Sequence, residues 1–320
     1  MTPRRVLWLG AAGTVTAHGI ARRVRAAWGD GVGIVAVDIN PPALVAAADL
    51  ADACEQVPPV ADRDAFAAAL GDGIRRHGVD TYVPLLVEEI ALACELRDAG
   101  ALPGVALLAP GTASARLCTD KLALARRLDA EGIAAPPTVL AQDARWWPEG
   151  VVVKARGGEG SRGVEVLVAE ADLERVRGRG DAAVAQRRCE GPEVTVDAFR
   201  SRDGTVWAAL CRERVEVRAG VCTKARLHRD AALEALVRRV ADALELSGAL
   251  CVQAMRGPGG WEITDVNPRY GGASAMSAAA GVDTAAAALA DLWGEDPRPF
   301  LGDFAGEAWV VRSYEESLRR

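Results

Sequence analysis

Lysine is nearly absent from this chain. Of 38 basic side chains only Lys121, Lys154 and Lys224 are lysine, and the other 35 are arginine. Histidine numbers three, at His18, His77 and His228, each isolated from the others, and none carries an assigned role. The seven cysteines are odd in number and scattered, with no CxxC and no Cys/His pair at zinc spacing. That excludes a zinc scaffold and reads as small buried hydrophobes in a reducing compartment. Long apolar runs are also missing. Val6-Leu-Trp-Leu is broken by Gly10 and Gly13, so it fits a first β-strand entering a turn better than a secretory signal. The stretch 271–290 is mostly Ala and Gly and holds Asp283, short of the ~20 strongly apolar residues of a membrane span. No membrane partner is expected, and the cytoplasm is the default. A basic excess is lacking too: the net charge of −6 argues against a nucleic-acid partner, whose affinity rests on phosphate neutralisation. Arg187 and Arg188 make a local basic pair, but Glu190 and Glu193 follow directly.

What is present is 320 residues, half of them hydrophobic and 26% charged, an ordinary globular composition long enough for about two domains or three small ones. Up to about residue 110, short apolar runs (6–9, 32–37, 81–84, 105–108) alternate with helical patterns (16–28, 61–77, 88–99). Such alternation with short links predicts a parallel sheet with helices on both faces. The first turn reads Gly10-x-x-Gly13-x5-Gly19. It could set a helix N-terminus beside a phosphate, but the spacing is not GxGxxG, and a tight strand-to-helix turn is the plainer account. One helix is expected over 112–131, ended by Gly132, and Pro136-Pro137 then extend the chain at the best boundary signal in the sequence. Beyond it, strands at 151–156, 164–168, 182–186, 193–200, 205–210, 212–217, 249–255 and 261–266, with a helix over 231–246, predict an α+β region.

Two constellations in this second part carry chemistry. A hairpin turn centred on Gly259 sets Gln253 opposite Asp265, with Cβ atoms about 4.5–5.5 Å apart. Asp265 and Asn267, two residues apart on one strand, share that face. Three oxygen-bearing side chains then converge, a donor set that suits Mg²⁺ shared with substrate phosphates. A polar solvent face on an edge hairpin is the bland alternative. Pro268-Arg269-Tyr-Gly-Gly-Ala-Ser274 follows, and an arginine with backbone-exposing glycines is what phosphate needs. The second constellation is Lys154, which ends Val151-Val-Val and runs into Gly157-Gly-Glu-Gly-Ser-Arg-Gly163. This is no Walker loop. A glycine-rich loop between two strands is instead a flap able to fold over nucleotide phosphates.

In this order, these residues resemble the ATP-grasp superfamily, in particular its carbamoyl-phosphate-synthase-like and carboxylate–amine ligase members. Thr119-Asp-Lys121 with Gly132 and Pro136-Pro137 resembles the family's first phosphate lysine and its helix. Lys154 through Gly163 resembles the second phosphate lysine and lid, and Gln186-Arg-Arg-Cys-Glu-Gly-Pro-Glu193 resembles the adenine hinge. The resemblance spans about residues 112–290. It implies ATP contacts from Lys121, Lys154, Gly158, Gly160, Ser161, Arg188, Cys189, Glu193 and Gln253, with Glu193 taking the ribose hydroxyls. It implies metal ligation by Asp265, Asn267 and Gln253, with catalytic roles for Arg269 and Lys154. Two departures stand out: Arg187 where many members have Glu, and Asp265 where Glu is commoner.

The expected fold is therefore mixed α/β and α+β: a Rossmann-like parallel-sheet domain over 1–111, then a two-lobed ATP-grasp fold with a small lobe and lid over 112–185 and a metal-bearing lobe over 186–320. By resemblance, ATP with Mg²⁺, in two ions, would phosphorylate a small carboxylate for attack by an amine. Arg218, Lys224 and Arg226, between hinge and metal hairpin, are candidates to hold the substrate carboxylate, and Glu88, with Glu89 beside it, to face the amine. A solvated cationic strand and a plain helix N-terminal turn are the alternatives for these residues. Homodimerisation stays open. Two other functions also stay open: an NAD(P)-dependent reductase using Gly10, Gly13, Gly19 and Asp38, and a nucleotide-binding module without turnover.

Overall fold

Valine- and leucine-rich runs too short for helices pair first into a five-stranded parallel sheet. The structure, a computed structural model, describes residues 5–158, 163–218, 220–313 and 318. Strands β1 (Arg5–Leu9), β2 (Val32–Asp38), β3 (Ala53–Gln56), β4 (Thr81–Val83) and β5 (Ala106–Leu107) lie in the order β3-β2-β1-β4-β5. Helix α1 (Val15–Trp28) covers one face, and α2 (Arg63–His77) and α3 (Val87–Asp98) cover the other. On the α2 side the backbone comes so close that a Cβ on Gly73 would fall 2.1 Å from the Trp8 ring. Only glycine fits there. The half-buried strand β3 escaped the sequence reading because its Ala-Cys-Glu-Gln run shows no apolar alternation.

The single helix expected over 112–131 is two. Asp120 adopts extended backbone angles (φ −94°, ψ 103°), closing α4 (Thr112–Thr119) and capping α5 (Lys121–Ala130). Its carboxylate accepts from the backbone N–H groups of Leu122 (3.0 Å) and Ala123 (3.1 Å), the usual reward of an aspartate N-cap. Leu124 and Leu128 of α5 bury with Val194, Val237 and Val252 from the far end of the chain. A four-stranded antiparallel sheet follows, from β6 (Thr138–Leu140), β7 (Val151–Ala155), β8 (Glu165–Leu167) and β9 (Ala183–Arg187), in the order β6-β9-β7-β8. With helix α6 (Leu173–Arg177) it closes a core of its own around Trp147, Val151, Val153 and Val176.

The third sheet has six strands in the order β14-β13-β10-β11-β12-β15: β10 (Glu190–Arg200), β11 (Trp207–Arg218), β12 (Val221–His228), β13 (Gly248–Gly257), β14 (Gly260–Asn267) and β15 (Glu307–Val311). The two strands expected at 205–210 and 212–217 are one continuous strand, β11. Helix α7 (Ala231–Ala243) packs on one face, and α8 (Ala275–Ala279) and α9 (Thr284–Leu292) on the other. No described helix is long and apolar enough to cross a membrane.

Candidate active site

The two lysines arrive at one cleft from a helix and a strand. Lys154, near the end of β7, donates from Nζ to Gln186 Oε1 on β9 at 2.9 Å, and Gln186 Nε2 is fixed in turn by Thr138 Oγ1 at 3.0 Å. Lys121 opens α5 and donates to the Gly158 carbonyl at 2.9 Å, while its own backbone N–H donates to the Arg156 carbonyl at 2.9 Å. Asp120 clamps the same junction through Arg156, with Nε 3.0 Å from both carboxylate oxygens. That guanidinium holds the Asp120 carboxyl below the usual carboxylate range, assisted by the cap N–H groups. Lys121, Lys154, Gln186, Ile263 and Thr264 line a single cavity between the four-stranded and six-stranded sheets. Burial pushes the Lys154 ammonium below the usual lysine range, against the pull of Asp265, and Lys121 adds to the downward push.

Across the cleft stands the β13–β14 hairpin. Its turn is Pro258-Gly259, one residue shorter than a turn centred on Gly259, since Gly257 pairs with Gly260. A bulge at Thr264 restores the register, so Gln253 does pair with Asp265, and Cys251 with Asn267. Asn267 Nδ2 donates to Asp265 Oδ2 at 2.9 Å. Gln253 Nε2 donates to Glu193 Oε1 at 2.9 Å, and Glu193 also pairs with Arg214. Cross-strand partners share a face, so Asp265, Asn267, Gln253, Thr195 and Arg212 all lie on one side of the sheet. Among the described residues no three His, Cys, Asp or Glu side chains gather as a metal-binding group. A cation here would have to combine the Asp265 carboxylate with amide oxygens and phosphates.

Behind the hairpin is a buried network that sequence reasoning missed. Asp197 and Arg212, 0% and 2% exposed, pair at 2.9 Å. Ser274 and Ser277 each donate to the Asp197 carboxylate at 2.6 Å, and Ser274 accepts the Gly271 N–H at 2.9 Å. The segment from Arg269 to α8 is thus anchored to the sheet centre. The signal was an Asp and an Arg inside two strong strand patterns.

The remaining candidates separate. Arg187 is buried and bridges Glu262 and Glu149, so at this position the hinge holds an internal ion pair. Cys189 is buried, and its thiol donates to Glu262 at 3.3 Å; burial, then that carboxylate, push it up to about 12. Arg188 is exposed. Gly158 has a left-handed φ of +91°, and Gly160 and Ser161 lie outside the described residues. Arg226 pairs with Glu213 (3.0 Å) and Glu307 (2.9 Å), Lys224 with Glu216 (3.0 Å), and Arg218 with Glu216 (3.0 Å). Arg226 neighbours Leu227, which stands in register with Arg212, so it points away from the face bearing Asp265. Glu88 is exposed on the first turn of α3.

The Gly10–Gly13 turn is occupied by the protein itself. Asp38 Oδ2 accepts the Gly13 N–H at 2.7 Å, and a Cβ on Gly10 would fall 1.9 Å from Glu89 Oε1. Glu89 is buried, accepts from Leu85 N–H (3.0 Å) and Tyr82 O–H (2.8 Å), and burial raises its pKa. Two carboxylates stand where a dinucleotide pyrophosphate would need N–H groups, so the reductase reading has no phosphate site.

A family described as "ATP-grasp in the biosynthetic pathway with Ter operon" matches residues 181–305. No curated protein matches the chain in sequence. Three solved structures superpose with a TM-score of 0.72 each: the Rhizobium etli pyruvate carboxylase (19% identity), the Hydrogenobacter thermophilus 2-oxoglutarate carboxylase biotin carboxylase domain with MgADP and bicarbonate (16%), and the Bacillus licheniformis L-amino acid ligase (15%). They cover 95%, 97% and 95% of this chain. The fold is that of the ATP-grasp superfamily. The chain spans only 30% of the pyruvate carboxylase, against 74% and 78% of the other two. Within the ATP-grasp fold the matched residues 181–305 include β10, β13, β14 and Arg269, the elements that carry the candidate cation site.

Proposed function

We propose that this protein is an ADP-forming ligase that activates a small carboxylate with ATP and passes the acyl group to an amine. The convergence of Lys121 and Lys154 on one cleft, opposite the Asp265–Asn267 pair, is the observation that carries the reading. Phosphoryl transfer asks mainly for position and charge neutralisation, which two ammonium groups and a guanidinium provide. The L-amino acid ligase among the structural neighbours is consistent with an amine acceptor.

Asp265, Asn267 and Gln253 would hold Mg²⁺ through hard oxygen donors, and the fit is sound because Asn267 orients Asp265 and Glu193 orients Gln253. When bound, the ion neutralises charge on the nucleotide phosphates. Lys121 and Lys154 hold those phosphates, and Glu193 takes the ribose hydroxyls. Arg269 positions the incoming carboxylate. A carboxylate oxygen then attacks the γ-phosphorus, the bond to the bridging oxygen breaks, and ADP leaves. The amine nitrogen attacks the acyl carbon and gives up a proton, and inorganic phosphate departs.

The test is a hydroxylamine trap, in which an acyl phosphate yields a hydroxamate alongside ADP. Wild type with Mg-ATP and a panel of acids should give both products. Asp265→Asn, which keeps the shape and removes the charge, should lower acid-dependent ADP formation by about 10²-fold or more while the melting temperature holds. Full activity in that variant would remove the metal assignment.

A further inference from the structure

A second cavity lies away from the lysines, between the first sheet and the third. One wall is the carboxyl-terminal ends of β4 and β5, with Val83, Leu85 and Leu108; the other is the start of β13 and the α9 helix, with Ala249, Ala288 and Leu289. Ligand crevices of parallel sheets lie at those strand ends. The walls come close together: a Cβ on Gly248 would stand 3.6 Å from Leu108 and 4.0 Å from Ala288. The alanines of α9 keep this space open, since longer side chains would fill it. It has room for about four waters, roughly the bulk of a four-carbon group.

Charged residues join the lining. Arg202 and Asp291 are held together by the Arg202 N–H to Asp291 Oδ2 at 3.0 Å and by the side chains at 3.3 Å. Arg269 and Tyr270, two and three residues beyond Asn267, line the cavity as well. The Tyr270 hydroxyl is buried with no hydrogen-bond partner among the described residues, close to Gly19 of α1.

We propose that this cavity receives the side group of the acid being activated, and that the acid carries a short aliphatic group of about four carbons beyond its α-carbon. The inference rests on the ligase reading for the identity of the acid. Arg269 fixes the carboxylate toward the nucleotide cleft while the apolar walls take the chain. A charged or dicarboxylic chain would have to strip its water among leucines and alanines without a matching partner.

The probes are 4-methylpentanoate and L-leucine against succinate and L-glutamate, assayed as hydroxamates with Mg-ATP. Wild type should favour the apolar pair. Ala288→Phe should raise the KM for 4-methylpentanoate about tenfold or more, leave propionate and the KM for ATP within about twofold, and so shift the preference to shorter acids. Binding of 4-methylpentanoate, read by saturation-transfer NMR without ATP, should be lost in the same variant and weakened in Leu108→Ser, which guards against a misfolded Ala288→Phe. Preference for succinate or glutamate, or an unchanged chain-length profile in both variants, overturns the cavity assignment and leaves the ligase standing. Absence of hydroxamate and ADP with every acid defeats the ligase instead, and the NMR arm still decides whether the cavity takes an apolar acid.

Discussion

Lys154 shows how burial and charge act on one side chain. Its ammonium must be present to meet phosphate, yet burial lowers its pKa and Lys121 adds repulsion, while Asp265 and Glu193 resist. Protonated lysine is the binding form, so affinity is present below the lowered pKa and lost as pH rises through it. Nucleotide affinity measured by calorimetry between pH 7 and 10 should therefore decline before the usual lysine range is reached. Lys154→Arg, with a guanidinium that keeps its proton, should flatten that decline although its planar fork binds more weakly at pH 7. A wild-type profile flat to pH 10 would disprove the role. Two of the three lysines stood out in the sequence as candidates because each ends or opens an element beside glycine-rich or capping residues. Lys224 looked equivalent on paper and differs in surroundings, where the Glu216 carboxylate of the neighbouring strand already pairs with it.

At the scale of elements, alternation and turn chemistry made most of the strands legible, and the bulge at Thr264 is the instructive case. The expected pairing of Gln253 with Asp265 holds because two deviations cancel: a turn one residue shorter and one extra residue in β14. Strand β12 was not legible, since cations and small residues interrupt the apolar alternation of its Val-Cys-Thr-Lys-Ala-Arg-Leu-His run, although it pairs with strands on both sides. The α4–α5 break hid inside a continuous helical pattern, because only backbone geometry shows Asp120 as a cap. Least legible was the Asp197–Arg212 pair, which joins residues from two strands to Ser274 and Ser277 about 80 positions later. Removing one partner of such a buried pair strands the other. Asp197→Ala should cost about 3–5 kcal/mol in urea unfolding. Asp197→Leu combined with Arg212→Met should recover much of that loss, and hydroxamate formation should stay low because Ser274 no longer anchors the segment from Arg269. Additive losses in the double variant would contradict this account.

For the whole molecule, the cores divide the chain differently from its sheets. Leu7, Leu9 and Ile20 of the first sheet and α1 share one cluster with Phe199 and Ala249 of the six-stranded sheet and Ala285 and Leu289 of α9. Trp293 reinforces the joint: its indole N–H donates to Thr81 Oγ1 at 2.9 Å, and its ring meets Trp28 edge-on at 4.9 Å. Helix α5 likewise buries its leucines against the six-stranded sheet, so Lys121 rides on the large body. The four-stranded sheet closes a separate core, and its ties to the rest are largely polar, through Arg156 to Asp120 and Arg187 to Glu262. Lys154 and Lys121 thus belong to bodies joined by ion pairs and two chain crossings, an arrangement suited to closing on phosphate. Regions with fewer apolar ties open at lower free energy. Native-state hydrogen exchange should accordingly show β7 and β9 opening before β1, β2 and β13, which should exchange together as one unit. A non-hydrolysable Mg-ATP analogue binds across the two lysines, so it should protect β7, β9 and the first turn of α5 while leaving β1 and β2 unchanged. Equal protection of all three sheets without nucleotide, or protection spreading evenly into β1 and β2 with it, would show instead that the small sheet is welded to the rest and that Lys154 does not travel.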